Sequence, residues 1–278
     1  MTEKLTFEEL KSHLFGAADI LRKQLNADEY RPVTMAVLFI KKLNDEYESN
    51  VQKLIDGGKK EKEARKAFNH TFVIPEDANW KTLFGTTKSI GLKLNKIARK
   101  IEEENPRLAG VLTASKFDDP NNFPDNIMEE LLIHFNKYDL SKDNLVKPDI
   151  FGDAYEYLLA EFASETKKKG GQFYTPHEVV RLLVELTKPK EGMRICDPTC
   201  GSGGMLVQSW SFVKEKKGNP DNLTLHGQES NYSTVGMSKM NLVLHGVSDF
   251  RIEHGDTLEN PRLQEDGKLF SYDRILAN

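Results

Sequence analysis

MRICDPTCGSGG, Met193–Gly204, decides the fold: a short apolar run passes directly into an acidic residue, a proline turn and three glycines. The next stretch, MLVQSWSFVK from Met205, repeats apolar residues at helical spacing. A run of strand length, closed by turn formers and succeeded by a helical pattern, reads as a βα unit. The strand is predicted at Met193–Asp197 and the helix from about Gly203 to Lys216. Downstream the alternation continues: a strand near Leu223–Gln228, a helix at Tyr232–His245, a third strand at Phe250–His254 and a fourth at Tyr272–Ala277. Such alternation implies a parallel sheet covered on both faces, with ligands bound beyond the carboxyl ends of the strands. Just upstream, Thr175 is expected to cap a helix whose first position is Pro176, with Glu178 completing a capping box and the helix running to about Thr187.

Further upstream the texture is helical. Phe7, Leu10, Leu14, Ala17, Ala18, Leu21 and Leu25 recur at three- and four-residue steps. A second helix is expected to start at Pro32 and to run through Tyr47, and others near Ile90–Glu104, Asn126–Tyr138 and Ile150–Ala163. DGGKKEKEARK, Asp56–Lys66, reads as an exposed, solvated excursion, while Trp80, Phe84, Phe68 and Phe72 are expected to pack the helical region, a base-stacking platform being the other reading. ETKKKGG, Glu165–Gly171, is a charged linker whose Lys167, Lys168 and Lys169 are either solvated or in contact with phosphates. The expected fold class is therefore α/β: an all-helical N-terminal domain, residues 1–165, followed by a partial doubly wound parallel sheet, residues 166–278, truncated after its fourth strand.

Of 278 residues, 38% are hydrophobic and 29% charged, enough for a sizeable core. The formal net charge of −4 leaves any attraction to nucleic acid to local basic clusters or to a partner. Two cysteines, Cys196 and Cys200, form no disulfide framework and read as small packing residues. His226, His245 and His254 lack metal-ligand spacing, so no metal site is expected. No secretory segment or apolar run of spanning length is present, which reads as a soluble cytoplasmic protein without a membrane partner.

Three acidic residues stand at three successive predicted strand ends. Asp197 precedes the glycine loop, in which Gly201, Ser202, Gly203 and Gly204 let the backbone approach a ligand and present N–H donors at a helix N-terminus. Its charge repels a pyrophosphate but suits the cationic methionine portion of S-adenosylmethionine, and a dinucleotide fingerprint would place glycine where Leu206 stands. Glu229, at the tip of the second strand, can accept two hydrogen bonds from ribose hydroxyls; a solvated strand-end glutamate is the plainer reading. Asp256, past the third strand, can accept an adenine amino group, or simply form a turn. Their order on successive strands favours one shared site.

DPTCGSGG, preceded by GQFYTP at Gly171–Pro176, resembles the modification subunit (HsdM type) of type I restriction–modification systems. AADILRKQLNADEYRPVTMAVLFIKKLND, Ala17–Asp45, is similar to the helical N-terminal domain of the same subunits. The resemblance implies a site-specific, adenine-N6 DNA methyltransferase that uses S-adenosyl-L-methionine and works with a specificity subunit and a restriction subunit on double-stranded DNA. It gives Gln172, Phe173, Tyr174, Thr175, Pro176 and His177 contacts to the methionine end of the cofactor, alongside the roles of Glu229 and Asp256. The chain closes on YDRILAN, and the family continues with Pro-Pro-Phe or Pro-Pro-Tyr, so Asn278 is the one catalytic residue implied. A chain stopping there is expected to bind cofactor without methylating DNA. The competing expectation is a non-catalytic module whose helical domain docks a specificity subunit.

Overall fold

The computed structural model describes residues 4–23, 25–165 and 175–278, with backbone alone at 27, 28, 164 and 165. The chain divides into two compact units, Met1–Ala154 and Tyr155–Asn278. Gln172, Phe173, Tyr174 and Lys167–Lys169 lie outside the described residues.

In the first unit, α1 (Phe7–Arg22) opens on a capping box: the Glu9 amide donates to Thr6 Oγ1 (3.3 Å) while the Glu9 carboxylate accepts the Thr6 amide (2.9 Å). Its buried face holds Leu10, Leu14, Ala17, Ala18 and Leu21 of the predicted stripe together with His13 and Ile20, while Phe7 and Leu25 are half-buried. The next helix, α2 (Ala27–Asp56), begins five residues earlier than the proline suggested. Asn26 is its cap and the Glu29 carboxylate accepts the Asn26 amide at 2.9 Å, so Pro32 lies in the second turn, where one missing N–H is tolerated in a long helix. α2 carries two buried lysines. Lys41 pairs with Asp45 and donates to the Tyr138 carbonyl; Lys42 donates to Glu46 and to the Leu140 carbonyl, each at 2.8 Å. Desolvation holds Lys42 below the usual lysine range.

The excursion after Asp56 is largely exposed, as expected, with Ala64 buried and Arg65 half-buried. After the short helix α3 (Glu61–Ala64), Arg65 turns back and grips Glu48 with both terminal nitrogens, at 2.8 and 3.0 Å. Helices α4 (Trp80–Phe84), α5 (Ile90–Glu104), α6 (Asp125–Phe135) and α7 (Ile150–Glu165) come next, the last containing the division between units. Of the four aromatic residues expected in this core, Trp80 is buried and Phe72 half-buried, but Phe84 is exposed and Phe68 is 78% exposed.

The second unit continues with α8 (His177–Thr187), β1 (Arg194–Asp197), α9 (Gly204–Glu215), β2 (Thr224–Glu229), α10 (Tyr232–Leu244), β3 (Arg251–His254), a small hairpin of β4 (Gln264–Glu265) and β5 (Lys268–Leu269), and β6 (Arg274–Ile275). The four long-range strands pair in the order β3-β2-β1-β6, all parallel. Ile195 pairs Leu225, and Gly227 pairs both Asp197 and Ile252. Because side chains alternate across a strand, these residues share one face. There Ile195, Leu225 and Ile252 pack with Val180 and Val184 of α8, Leu206 and Trp210 of α9, and Val235 and Leu242 of α10. The opposite face presents Cys196, His226 and Arg251, which meet Phe270 and Tyr272 from the segment after the hairpin. The sequence reading passed over that hairpin, although Asp266-Gly267, both in the left-handed region, is a strong two-residue turn signal. β6 is shorter than predicted, yet its ladder bonds extend from the Asp273 amide to Arg194 and from the Leu276 amide to Cys196, each at 2.9 Å. It is an edge here, with Ile275 60% exposed. Among the described residues, no helix is long and apolar enough to cross a membrane.

Candidate cofactor site and active site

The carboxyl ends of β1, β2 and β3 are sewn together by main-chain bonds. The Cys200 amide donates to the Gln228 carbonyl (3.0 Å) and the Gly255 amide to the Glu229 carbonyl (3.0 Å), while the Thr257 hydroxyl reaches the Pro198 carbonyl. Asp197, Glu229 and Asp256 thus stand on three segments that are bonded to one another. Gln228 completes the assembly. Wholly buried, it donates to the carbonyls of Gly255 (3.1 Å) and Asn260 (2.9 Å) and accepts the Arg262 amide (2.9 Å). A glutamine with three satisfied bonds inside a strand end is costly to leave unpaired, so it dictates the course of the 255–262 loop.

Each carboxylate has a distinct setting. Asp197 is 2% exposed, and its Oδ1 accepts the Thr199 amide at 3.1 Å. Burial pushes its carboxyl up to about 7, against the bond from Thr199 and assisted by the nearby charge of Glu229. Glu229 reaches across the site: Oε2 accepts the Gly201 amide (3.0 Å), and Oε1 accepts the Asn231 amide (2.8 Å) and the Ser230 hydroxyl (3.2 Å). It therefore fixes both the glycine loop and the first turn of α10, where Asn231 caps the helix through the Ser233 and Thr234 amides. Asp256 is exposed, and its Oδ1 closes a turn by accepting the amides of Leu258 (2.8 Å) and Glu259 (3.1 Å).

The glycine loop is held from below by α10. Gly203 has φ of +78°, and a Cβ there would come within 2.6 Å of Ser238 Oγ; Asn241 donates to the Ser202 carbonyl at 3.0 Å. At Gly201 and Gly204, by contrast, a Cβ would meet nothing within 4 Å. Those two positions border open space.

Upstream, the expected cap is not formed. Pro176 is the cap of α8, with its carbonyl accepting the Val179 and Val180 amides, because its extended backbone delays the first helical residue to His177. The Thr175 hydroxyl instead accepts a hydrogen bond from Asn278 Nδ2 at 2.9 Å. The Thr199 hydroxyl donates to the Asn278 carbonyl at 3.1 Å. His177 faces α9 through Gln208, at 2.9 Å. The remaining histidines serve locally: His226 contacts the Tyr272 hydroxyl, His245 the Asn241 carbonyl and His254 the Ser230 carbonyl. Both cysteines are buried, and desolvation pushes Cys196 up to about 12 and raises Cys200 as well. Thr199, Gln228, Asn231, Ser238 and Asn241 were missed by sequence reasoning. Gln228 and Asn231 had a signal, a polar residue at an inward strand position and an Asn directly before a helical pattern.

Two family models match the chain: the HsdM N-terminal domain over residues 10–135 and the N-6 DNA Methylase domain over residues 146–278. The chain is 33% identical over 274 residues to the MjaVII type I restriction enzyme methylase subunit of Methanocaldococcus jannaschii, covering 94% of this chain and 45% of that one. The chain belongs to the methylase subunits of type I restriction enzymes. Another of these methylase subunits, HindI of Haemophilus influenzae, is 35% identical over 186 residues, covering 64% of this chain and 40% of its own. A crystal structure of the type I restriction-modification methyltransferase subunit from Streptococcus thermophilus shares the fold, with a TM-score of 0.81 at 22% identity over 98% of this chain and 63% of that one. The chain spans less than half the length of these two curated relatives. The type I methylase family is one of S-adenosylmethionine-dependent enzymes. The donor set fits that molecule: two neighbouring carboxylates, one of them buried, oppose an anion and suit a cation, while the open backbone at Gly201 and Gly204 leaves room beside them.

Proposed function

We propose that residues 172–256 bind S-adenosyl-L-methionine and that the protein to which this chain belongs transfers its methyl group to N6 of adenine in double-stranded DNA. The observation that carries this reading is the junction of Asp197, Glu229 and the glycine loop, bonded through Gly201 and completed by the Gly255–Thr257 segment. Glu229 would exchange its hydroxyl partner Ser230 for ribose hydroxyls. Asp256 would use the oxygen that its turn leaves over for the adenine amino group. Asp197 would balance the positive methionine end, together with Gln172, Phe173, Tyr174, Thr175, Pro176 and His177. Gly201, Ser202, Gly203 and Gly204 would line the close approach.

The cofactor supplies an activated methyl group on sulfur; the protein supplies position and charge. The adenine amino group is a weak nucleophile because its lone pair is delocalised into the ring. Asn278 would accept an N6–H bond through its side-chain oxygen and so return density to nitrogen, with the base held outside the duplex. The new bond joins N6 to the methyl carbon, the carbon–sulfur pair stays on sulfur, and one N6 proton passes to solvent. Specificity and restriction subunits are the partners we propose for the whole protein, in the cytoplasm. The specificity subunit would supply the reading of DNA sequence, in keeping with the net charge of −4.

Calorimetry of the 278-residue chain tests the cofactor site. S-adenosylmethionine or its demethylated product should bind, NAD should not, and Glu229→Ala should weaken binding by about 1.5–3 kcal/mol, the range for a hydrogen bond to a charged group. Unchanged affinity in that variant would remove the ribose assignment. If no cofactor binds but a specificity subunit co-purifies, the docking-module reading replaces this one.

A further inference from the structure

We infer that Thr175 and Thr199 form a two-point clamp that orients the side-chain amide of Asn278, making Thr175 a positioning residue for the base-activating step. The clamp rests on the proposed role of Asn278 at the adenine amino group.

An asparagine amide is pseudo-symmetric. With its oxygen toward an adenine amino group it accepts a hydrogen bond; rotated by half a turn, it presents two N–H groups to two N–H groups, and activation is lost. The oxygen end must therefore face the base, and the nitrogen end needs a partner elsewhere. In this structure one end is engaged: Nδ2 donates to Thr175 Oγ1 at 2.9 Å, which leaves Oδ1 directed away from that hydroxyl. The backbone of the same residue is held separately, because Thr199 Oγ1 donates to its carbonyl at 3.1 Å. Thr199 is itself bound to Asp197 through its amide, so the clamp is anchored on the glycine loop, while its other jaw stands two residues before α8. Ladder bonding of the preceding Leu276 amide to Cys196 delivers Asn278 to this point. The three contacts come from the segment before α8, the loop after β1 and the end of β6, which converge at one end of the sheet.

A hydroxyl lost at Thr175 should lower turnover at saturating cofactor, beyond any loss of cofactor affinity at the same residue. In the full-length gene product, with methyl transfer to DNA measured at saturating S-adenosylmethionine, Thr175→Val should lower kcat about tenfold, the effect of one lost hydrogen bond on orientation. Thr175→Ser, which keeps the oxygen, should restore kcat, and Asn278→Ala should abolish it. In the 278-residue chain, the side-chain amide resonances of Asn278 should move in Thr175→Val and hold their place in Thr175→Ser. If valine prevents folding, Thr175→Ala replaces it. The clamp is overturned if Thr175→Val turns over normally while Asn278→Ala is dead. It is overturned equally if the defect appears in Kd with kcat intact, which would leave Thr175 a cofactor contact alone, or if serine fails to rescue. Activity in Asn278→Ala would overturn the catalytic reading of Asn278 itself, and the clamp with it.

Discussion

Replacing Asp197 by asparagine should change how stability depends on pH, in a direction and by an amount the structure dictates. The carboxyl is 2% exposed, and its folded pKa is pushed up from 3.8 to about 7. A raised acid binds its proton more tightly in the folded chain than in the unfolded one. Folding therefore carries no penalty from Asp197 below pH 3.8, an increasing penalty as pH rises toward 7, and the whole of it above. A shift of about three units corresponds to about 4 kcal/mol, more than half of which develops between pH 5 and pH 8. Asparagine keeps an oxygen for the Thr199 amide and has no proton to lose, so the variant lacks this slope. The chain has two tryptophans, one in each unit, so a Trp80→Phe background leaves Trp210 to report the second unit alone. Urea midpoints should separate in favour of Asp197→Asn by about 1 M between pH 5 and pH 8, given a slope of about 2–3 kcal/mol/M. The same ionisation should govern ligand affinity: a cationic ligand binds the charged form, so S-adenosylmethionine should bind the parent more tightly as pH rises to about 7, and the variant without that trend. Midpoints that run parallel across the pH range would refute the reasoning, since they would mean that Asp197 is ionised in the folded chain throughout.

Gly203→Ala should destabilise the second unit by about 2 kcal/mol or more, because a Cβ is strained at φ of +78° and meets Ser238 Oγ at 2.6 Å. Adding Ser238→Ala should recover only the steric part, measured by Trp210 fluorescence in urea. In the first unit His13 is buried and stacks on His134 at 4.3 Å; burial first, then the neighbouring His134 and lysines, hold it down to about 3. A depressed base makes the unfolded chain the stronger proton binder, so its contribution is complete above pH 6.5 and fades as pH falls toward 3, by roughly 3 kcal/mol between pH 7 and pH 4. His13→Phe, followed through Trp80 in a Trp210→Phe background, should remove most of that acid loss; an unaltered acid profile would show that His13 is not its source.

Elements with a regular period were legible in the sequence. The stripe of α1, the limits of α5 and the strand–helix alternation around Asp197 follow from apolar spacing, because burial on one face is a property each segment carries in itself. Errors fell where a contact from elsewhere decides the outcome. Pro32 read as a helix start, but the Asn26–Glu29 box, a signal present in the sequence, outweighs one missing donor. The charged excursion is solvated as read, but nothing local shows that Glu48 waits for Arg65 on the preceding helix. Thr175 read as a cap for the same reason: its partner, Asn278, is 103 residues away.

The site separates along the same line. Asp197, Glu229 and Asp256 were singled out by position alone, since topology delivers a residue at a strand's carboxyl end to the edge where such sheets bind ligands. What their side chains do there depends on neighbours, and each of the three already accepts a backbone amide. Glu229 holds the Gly201 amide and the α10 cap together, and Asp256 closes its own turn. A carboxylate has lone pairs enough for both tasks. The consequence is that a ligand seated on Glu229 and Asp256 meets groups whose rotamers are fixed before it arrives, so little ordering remains to oppose binding. Asp197 differs in kind. It is buried, its charge is only half-formed near neutrality, and of the three it gains most from a cation beside it. The strand tips thus divide the work between two carboxylates that hold the shape of the site and one whose ionisation awaits the ligand.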